Sequence, residues 1–243
     1  MFGYNFDKRY IYAILIILGL SVLVQYSLND LLGLLYSLPG ILIAISFHEY
    51  AHALAAVKLG DETPRNQGRL TLNPVSHIDP VGFILLLFAG FGWGKPVQTN
   101  PARYDRKIDM SKGEAIVSFA GPAMNFFLAI VFSIINALVL KYATEVFLMS
   151  TVGIIIISIL QDIVIVNIGL GIFNLIPLPP LDGSKILKNF LSYNTRRKFE
   201  ENEQLFYIIF LALWITGLAG TIISPVISYI YEGITKLIWG IVF

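Results

Sequence analysis

Two histidines and a glutamate lie close together in an otherwise apolar part of this chain. The stretch "AISFHEYAHALAAV" (Ala44–Val57) contains His48, Glu49 and His52. Residues four apart share one face of a helix, so the two imidazoles can bind the same metal ion. The H-E-x-x-H pattern needs these residue types because neutral imidazoles are zinc ligands and a neighbouring carboxylate can act as general base. The spacing therefore predicts a zinc site with a catalytic carboxylate beside it.

The apolar surroundings of this cluster decide between two interpretations. In the simpler one, the three side chains are satisfied by hydrogen bonds between helices and bind nothing. However, an ionisable side chain inside a membrane span costs roughly 2.5–3.5 kcal/mol for Asp, Lys or Arg on insertion scales, and such residues are usually functional. Three of them within five residues would carry a large combined cost without a structural gain. The location therefore favours the metal site.

The third ligand has two candidates in the sequence. A catalytic zinc has three protein ligands and an open position, and the chain has three histidines and no cysteine. The third ligand is therefore His77 or a carboxylate, of which Asp182 in "FNLIPLPPLDGSK" is the most suggestive. Pro177, Pro179 and Pro180 cannot continue a helix, so the preceding span must unwind there, which suits a cavity at membrane depth. An ordinary turn at a helix end explains the same residues, and both candidates remain open.

The composition indicates an all-α polytopic membrane protein. Of 243 residues, 56% are hydrophobic and 14% are charged, whereas soluble domains carry about 25% charged residues. The net charge of +1 gives no reason to expect a nucleic acid partner, and the absence of cysteine excludes disulfides and thiolate sites. Six segments reach the roughly 20 apolar residues that a spanning helix needs. They are Tyr10–Ser27, Leu31–Leu59, Gly113–Leu140, Thr151–Ile176, Gln204–Ile222 and Pro225–Phe243.

The basic residues orient these spans. Val81–Gly94 is too short to cross and is predicted to be a short re-entrant or β-hairpin segment between the second and third spans. With both termini in the cytoplasm, fifteen of the seventeen Lys and Arg residues lie on the cytoplasmic side, as the positive-inside rule expects. We expect one membrane-embedded domain, 1–243, with a first span at 10–27, a catalytic three-helix core at about 31–191 and a C-terminal helix pair at about 204–243. The membrane is predicted to be a prokaryotic plasma membrane, with the active site opening towards the cytoplasm.

Three separated motifs resemble the site-2 protease family of intramembrane zinc metalloproteases. They are His48-Glu49-x-x-His52, Gly121-Pro122-x-x-Asn125 and "NLIPLPPLDG". The stretches "NPVSHIDPVG" and "GWGKPV" are also similar to the loop between the second and third spans of that family. The resemblance covers about residues 41–184. Many members carry a PDZ insertion or a C-terminal CBS pair, and this sequence shows neither.

The resemblance implies a cofactor, a reaction and roles for particular residues. One Zn²⁺ per chain would be held by His48, His52 and Asp182, and Glu49 would be the catalytic acid and base that activates a zinc-bound water. Asn174 would hold the substrate backbone or the oxyanion. The reaction would be hydrolysis of a peptide bond in or near a transmembrane segment. The partners would be a single-span or other membrane-protein substrate and the lipid bilayer.

The loop after the second span contains candidate substrate contacts. The segment "GRLTLNP" (Gly68–Pro74) alternates Leu70 and Leu72 with polar residues, as a half-buried strand would. With "GKPVQ" (Gly94–Gln98) it is predicted to form a small sheet whose edge pairs with an extended substrate. Leu70, Thr71 and Leu72 would then contact the substrate. An ordinary interfacial loop explains the pattern nearly as well.

Further polar residues have more than one interpretation. His77 is an alternative ligand, a substrate contact or a loop histidine, and we favour a structural role near the site and exclude it as a primary ligand. Asn125 is predicted to form a hydrogen bond between helices, with a substrate contact as the alternative. Asp162 lies within a span and has no assigned partner.

Three other functions compete with the protease hypothesis. A membrane metalloprotease of another type would take a later glutamate as its third ligand. A non-catalytic scaffold that binds client membrane proteins would not need the general base Glu49. A metal transporter fits poorly with a single three-ligand site that has a base beside it.

Overall fold

Helices make up the regular structure of this protein. The computed structural model describes residues 28–89 and 92–243. In chain order the helices are α1 (Leu28–Lys58), α2 (Thr63–Asn66), α3 (Pro80–Ala89), α4 (Met110–Tyr142), α5 (Glu145–Leu148), α6 (Thr151–Leu175), α7 (Asp182–Phe190), α8 (Tyr193–Glu201), α9 (Glu203–Ile215) and α10 (Leu218–Val242). Short 3₁₀ turns cover Pro74–Ser76 and Pro101–Arg103.

Three of these helices are each long and apolar enough to cross a membrane. They are α1, α4 and α6, and α9 with α10 gives a fourth span if the two helices are taken together. Many large apolar side chains along them are exposed, such as Phe127 on α4 and Ile154 on α6, as expected of surfaces that face lipid. The predicted class, an all-α polytopic membrane protein, is confirmed. The predicted first span, Tyr10–Ser27, lies outside the described residues, so the count of six spans stays a prediction.

The C-terminal helices divide at a different position from the predicted one. We expected spans at Gln204–Ile222 and Pro225–Phe243, but α9 ends at Ile215 and α10 begins at Leu218, with a bend of 76° between them. Gly217 has φ +74°, in the left-handed region that glycine adopts without steric cost. Pro225 lies inside α10, and helices in membranes tolerate proline. The predicted boundary was therefore wrong, because the glycine and not the proline ends the helix.

The core consists of α1, α4 and α6 packed against one another. Gly40 lets α1 approach α6 closely, since a Cβ there would lie 3.1 Å from the Cα atom of Ile163. Ala129 of α4 and Val164 and Ile168 of α6 form a buried apolar cluster. Side chains of α10, including Ile227, cover this cluster from outside. The packing of α1 against α4 and α6 thus brings three different parts of the sequence together.

The loop between α1 and α4 is tied down by a buried carboxylate. Asp61 is fully buried, and its Oδ1 accepts from the N–H of Thr63 at 3.0 Å while its Oδ2 accepts from the N–H of Asn100 at 2.6 Å. Within the loop, Asp79 caps α3 by accepting from the N–H of Gly82 at 2.8 Å. The ten residues of α3 span about 15 Å, which is half of a bilayer's apolar thickness. The short element between the second and third predicted spans is therefore a helix that does not cross.

The predicted small sheet in this loop is not formed. Gly68–Pro74 and Gly94–Gln98 contain no strand, and the β-pairing found in the described residues is one antiparallel bridge between Ile78 and Gly94. The carbonyl of Thr71 is bonded to the His77 side chain at 2.7 Å, so it is not available to a neighbouring strand. The alternation of apolar residues covers only a few positions. In addition, hydrogen bonds from side chains occupy backbone carbonyls that a sheet would need.

Candidate metal centre

The two histidines of α1 present their Nε2 atoms to a common point. The Nε2 atoms of His48 and His52 are 2.9 Å apart, and both side chains are buried. The two imidazoles have space beside α4 because this helix has a glycine, Gly121, at the point of contact. A Cβ at Gly121 would lie 2.5 Å from Nε2 of His52 and 2.6 Å from Cε1 of His48. Any larger residue would displace the imidazoles.

Asp182 reaches the same point from the end of α6. As predicted, this helix ends before the prolines, at Leu175, and the chain turns through Pro177–Pro180. The first residue of α7 is Asp182, whose Oδ2 lies 3.1 Å from the Nε2 atoms of both histidines. Gly183 permits this approach, since a Cβ would lie 2.3 Å from the carbonyl oxygen of Leu175. Three residues that are widely separated in the sequence therefore form one compact cluster of metal-ligand types.

Hydrogen bonds behind the histidines set the chemistry of this cluster. Nδ1 of His48 lies 2.7 Å from Oδ1 of Asn125, and Nδ1 of His52 lies 2.7 Å from the carbonyl oxygen of Val117. Both partners accept hydrogen bonds, so each neutral ring carries its proton on Nδ1 and directs an Nε2 lone pair towards Asp182. Two lone pairs and a carboxylate at this separation repel unless a cation lies between them. This donor set of two nitrogens and one carboxylate oxygen fits zinc.

Two asparagines hold the His48 side of the centre. The Nδ2 group of Asn125 donates to the carbonyl of Ala44 at 3.1 Å and to Oδ1 of Asn167 at 2.9 Å, and Asn167 donates to the carbonyl of Ile163 at 2.8 Å. Both asparagines are fully buried. This chain of bonds links α1, α4 and α6, as the predicted interhelical role of Asn125 requires. Both polar atoms of the Asn125 side chain therefore have partners within the core, and a substrate contact of this residue stays a prediction.

Glu49 lies at the edge of the cluster and contacts the loop. Its Oε2 accepts from the backbone N–H of Val97 at 2.8 Å. Its Oε1 accepts no hydrogen bond from the described residues. The predicted general base is thus held by the segment Gly94–Gln98, while one carboxylate oxygen remains available for chemistry.

Asn174 and the residues Leu70–Leu72 are not part of the cluster of metal-ligand types found in the described residues. Asn174 is in the last turn of α6, and its Nδ2 donates to the carbonyl of Leu170 at 3.1 Å, so its amide is bonded within its own helix. Leu70–Leu72 form a bend, in which Leu72 is 44% exposed. The roles predicted for these residues stay predictions.

His77 connects parts of the loop. It is fully buried, and its Nε2 bonds to the carbonyl of Thr71 while its own carbonyl accepts from the N–H of Lys95 at 2.7 Å. Its Nδ1 has no hydrogen-bond partner in the described residues. It takes no part in the cluster of His48, His52 and Asp182. These contacts agree with the structural role that the sequence favoured.

Gly121 and Val97 contact the candidate site in ways that were not identified from the sequence. Gly121 belongs to a motif that resembles the site-2 protease family, but the motif alone does not show that this glycine makes room for the two imidazoles. The N–H of Val97 reaches Glu49 from a position 48 residues away in the sequence. No local pattern reports such contacts.

Comparison with known proteins identifies related chains. A family model described as peptidase family M50 matches residues 36–217. "Putative zinc metalloprotease YwhC" of Bacillus subtilis is 36% identical over 202 residues, which cover 83% of this chain and 90% of that protein. "Putative zinc metalloprotease Rip2" of Mycolicibacterium smegmatis is 32% identical over 183 residues, covering 74% of this chain and 66% of that protein. No solved structure matches the chain significantly.

Proposed function

This chain belongs to peptidase family M50 and is a zinc metalloprotease of the site-2 protease type, and from that premise we propose that it cuts membrane-protein substrates in or near a transmembrane segment. The observation that carries the proposal is the convergence of His48, His52 and Asp182 within a core of helices that are apolar enough to span a membrane. A hydrolytic centre within a core of membrane-spanning helices would be reached by substrates that also lie in the bilayer.

The three converging side chains are proposed to hold one zinc ion. Bound zinc supplies Lewis-acid activation of water and of the scissile carbonyl. The Nδ1 hydrogen bonds of His48 and His52 support this assignment, because they leave both Nε2 atoms free of protons and fixed in direction. Asp182 adds the negative charge that a divalent cation requires.

Glu49 is proposed to move the proton during hydrolysis. It follows His48 directly in α1, and its Oε2 is anchored by the N–H of Val97. The other oxygen, Oε1, takes the proton from the attacking water and passes it to the leaving amine. A carboxylate fixed by a hydrogen bond at one oxygen keeps the other in a constant direction, which favours proton transfer over a short distance.

Asn174 is proposed to stabilise the substrate rather than the zinc. Its side chain is uncharged, and a donated hydrogen bond would favour the negative charge that develops on the scissile carbonyl oxygen. To do so its amide must exchange its present bond to Leu170 for one to the substrate. Leu70, Thr71, Leu72 and His77 are proposed only as parts of the loop that a substrate passes.

The proposed substrate is a single-span or other membrane protein whose helix unwinds near the site. The positive-inside rule, applied to the basic residues, supports an active-site opening on the cytoplasmic side. The named relatives come from bacteria, which supports a prokaryotic plasma membrane as the location. Water would enter from the cytoplasmic side, where Asp182 follows the end of α6.

The test compares wild-type protein with Glu49→Gln, each co-expressed with a panel of single-span membrane proteins. We expect one zinc per chain in both proteins and cleavage only by the wild type, with a loss of at least about 100-fold in the variant because the general base is absent. Equal cleavage by both proteins would contradict the proposed role of Glu49. Wild-type protein purified without zinc would contradict the metal centre.

A further inference from the structure

Arg69 is a buried cation in the loop between α1 and α4. The residue is only 6% exposed, although arginine is rarely buried without partners. Its Nη1 donates to the carbonyl of Ser76 and its Nη2 donates to the carbonyl of Lys95. The guanidinium therefore joins two backbone carbonyls from different parts of the loop. Burial lowers the pKa of Arg69 below its ordinary value, and the negative charge of Glu49 counteracts this shift.

The segment Gly94–Gln98, which receives one of these bonds, also contacts Glu49. The N–H of Lys95 donates to the carbonyl of His77 at 2.7 Å, and the N–H of Val97 donates to Oε2 of Glu49 at 2.8 Å. In an extended chain the backbone groups of residues two apart point to the same side. Fixing both backbone groups of Lys95 therefore also fixes the direction of the Val97 N–H.

The carboxylate of Glu49 depends on this N–H for its orientation. Within the described residues, the Glu49 side chain forms one hydrogen bond, which it accepts from the N–H of Val97. A glutamate side chain has three rotatable bonds, so holding it in one conformation costs conformational entropy. Without the N–H the carboxylate would sample several rotamers, and only some of them direct Oε1 towards the metal ligands.

We propose that Arg69 is a positioning residue: its bonds to the carbonyls of Ser76 and Lys95 hold the segment Gly94–Gln98 so that the N–H of Val97 fixes the carboxylate of Glu49. This inference rests on the proposed function of Glu49 as general base and deepens it. The guanidinium group of Arg69 bonds to backbone carbonyls of the loop and not to His48, His52 or Asp182. Its effect on the chemical step is indirect, because Arg69 holds the segment Gly94–Gln98 and this segment holds the carboxylate of Glu49.

The first experiment removes the guanidinium and then restores it. We expect Arg69→Ala to lower kcat about 10- to 100-fold, the usual cost of losing such a supporting contact, with KM within about 3-fold and one zinc per chain. Guanidinium ion added at millimolar concentration should recover a large part of kcat, because it can occupy the vacated site. Arg69→Lys should remain impaired, since one ammonium cannot reproduce the planar fork that reaches two carbonyls.

The second experiment tests the link between the segment and Glu49. Val97→Pro removes the N–H, and Val97→Ala retains it, so the ratio of their kcat values isolates the hydrogen bond. We expect the proline variant to be at least about 10-fold slower than the alanine variant at equal zinc content. A ratio within 2-fold would overturn the inference, as would an Arg69→Ala protein whose kcat equals that of the wild type or does not respond to guanidinium.

A third measurement does not depend on catalysis. Amide hydrogen exchange in the segment Gly94–Gln98 should accelerate at least about 10-fold in Arg69→Ala, and Val97 exchange should accelerate in Glu49→Ala, because each variant removes one end of the link. Unchanged exchange in both variants would overturn the inference. Failure of the proposed function is recognised separately: wild-type protein would then show no cleavage or would cleave as well as Glu49→Gln, whatever the exchange results.

Discussion

Two buried asparagines on one helix have very different surroundings. Asn125 and Asn136 lie eleven residues apart in α4, on the same face and about 16 Å apart along the axis. Asn125 bonds to His48, Ala44 and Asn167, and its side chain is fully satisfied. Asn136 has no partner for Oδ1 within the described residues, and nearby Ser133 has none for Oγ. Both of these residues line a small cavity between α4, α6 and α10.

The difference shows where this membrane protein needs accurate geometry. Leaving a buried polar atom without a partner costs about 1–3 kcal/mol, and the far end of α4 tolerates that cost because apolar contacts hold α10 there. Around the metal centre, by contrast, each histidine has a defined acceptor. Along α4, polar bonds therefore satisfy the asparagine that supports a metal ligand, whereas the asparagine at the far end is held by packing. Four substitutions test this difference, and they follow from the largest expected effect on the protein to the smallest.

The largest effect is expected from Asp182→Ala. Removing the carboxylate leaves two imidazoles, so purified protein should contain little zinc and lose more than about 100-fold of its proteolytic activity. Metal analysis and a cleavage assay measure both quantities. Ser133→Ala, at the far end of α4, is the matched control and should retain its zinc. Retained zinc in Asp182→Ala would instead indicate another third ligand, such as a glutamate.

Gly121→Ala should have the next largest effect. The added Cβ would lie 2.5 Å from Nε2 of His52, so the imidazoles or α4 must move. A displacement of about 1 Å can lower activity by about 100-fold, and zinc affinity should fall with it. Gly233→Ala in α10 is the control, because nothing lies within 4 Å of a Cβ at that position. Equal zinc affinity in both variants would show that the space in front of the histidines is not needed.

Asn125→Leu should weaken the centre without removing a ligand. Nδ1 of His48 would lose its acceptor, so the ring could turn or carry its proton on Nε2, and zinc affinity should fall about 10- to 100-fold. Competition with a chromogenic chelator measures this affinity. The same substitution at Asn136 should leave zinc affinity unchanged. If the two variants bind zinc equally well, the asparagine chain does not support the metal site.

Asn136→Leu should give the smallest effect, on stability alone. Replacing an amide whose buried Oδ1 has no partner with an apolar group is expected to raise the free energy of unfolding by up to about 1 kcal/mol. Unfolding in mixed micelles monitored by circular dichroism is a suitable measurement. A destabilisation of similar size would mean that Oδ1 is bonded in the bilayer, and the contrast with Asn125 would then disappear.

Much of the metal centre could be predicted from the sequence because its signals are local. His48 and His52 are related by helical spacing, and three prolines within four residues (Pro177, Pro179 and Pro180) are incompatible with a continuous helix up to Asp182. The apolar composition made ionisable residues conspicuous, and few candidate ligands existed. The charge distribution then indicated that the ends of two separate spans lie on one side of the membrane.

The loop around the centre could not be predicted because its bonds are long-range. Leu70 and Leu72 alternate like a strand, but the neighbouring Arg69 uses its guanidinium on carbonyls elsewhere and Thr71 gives its carbonyl to His77. Bonds between side chains and distant backbone groups leave no periodic pattern. The same limit applies at Gly217, where the helix break depends on one backbone angle rather than on the more conspicuous Pro225.

The bonds from Asn167 to Asn125 and from Asn125 to His48 also constrain the biogenesis of the protein. Membrane helices insert first and associate afterwards, so each of these side chains enters the bilayer before its partner on another helix is in place. The bonds form only when α1, α4 and α6 meet, and Asp182 joins them from the part of the chain synthesised after all three. The three proposed zinc ligands therefore come together only after α6 and Asp182 have been synthesised, so a chain that ends before Asp182 lacks the complete centre.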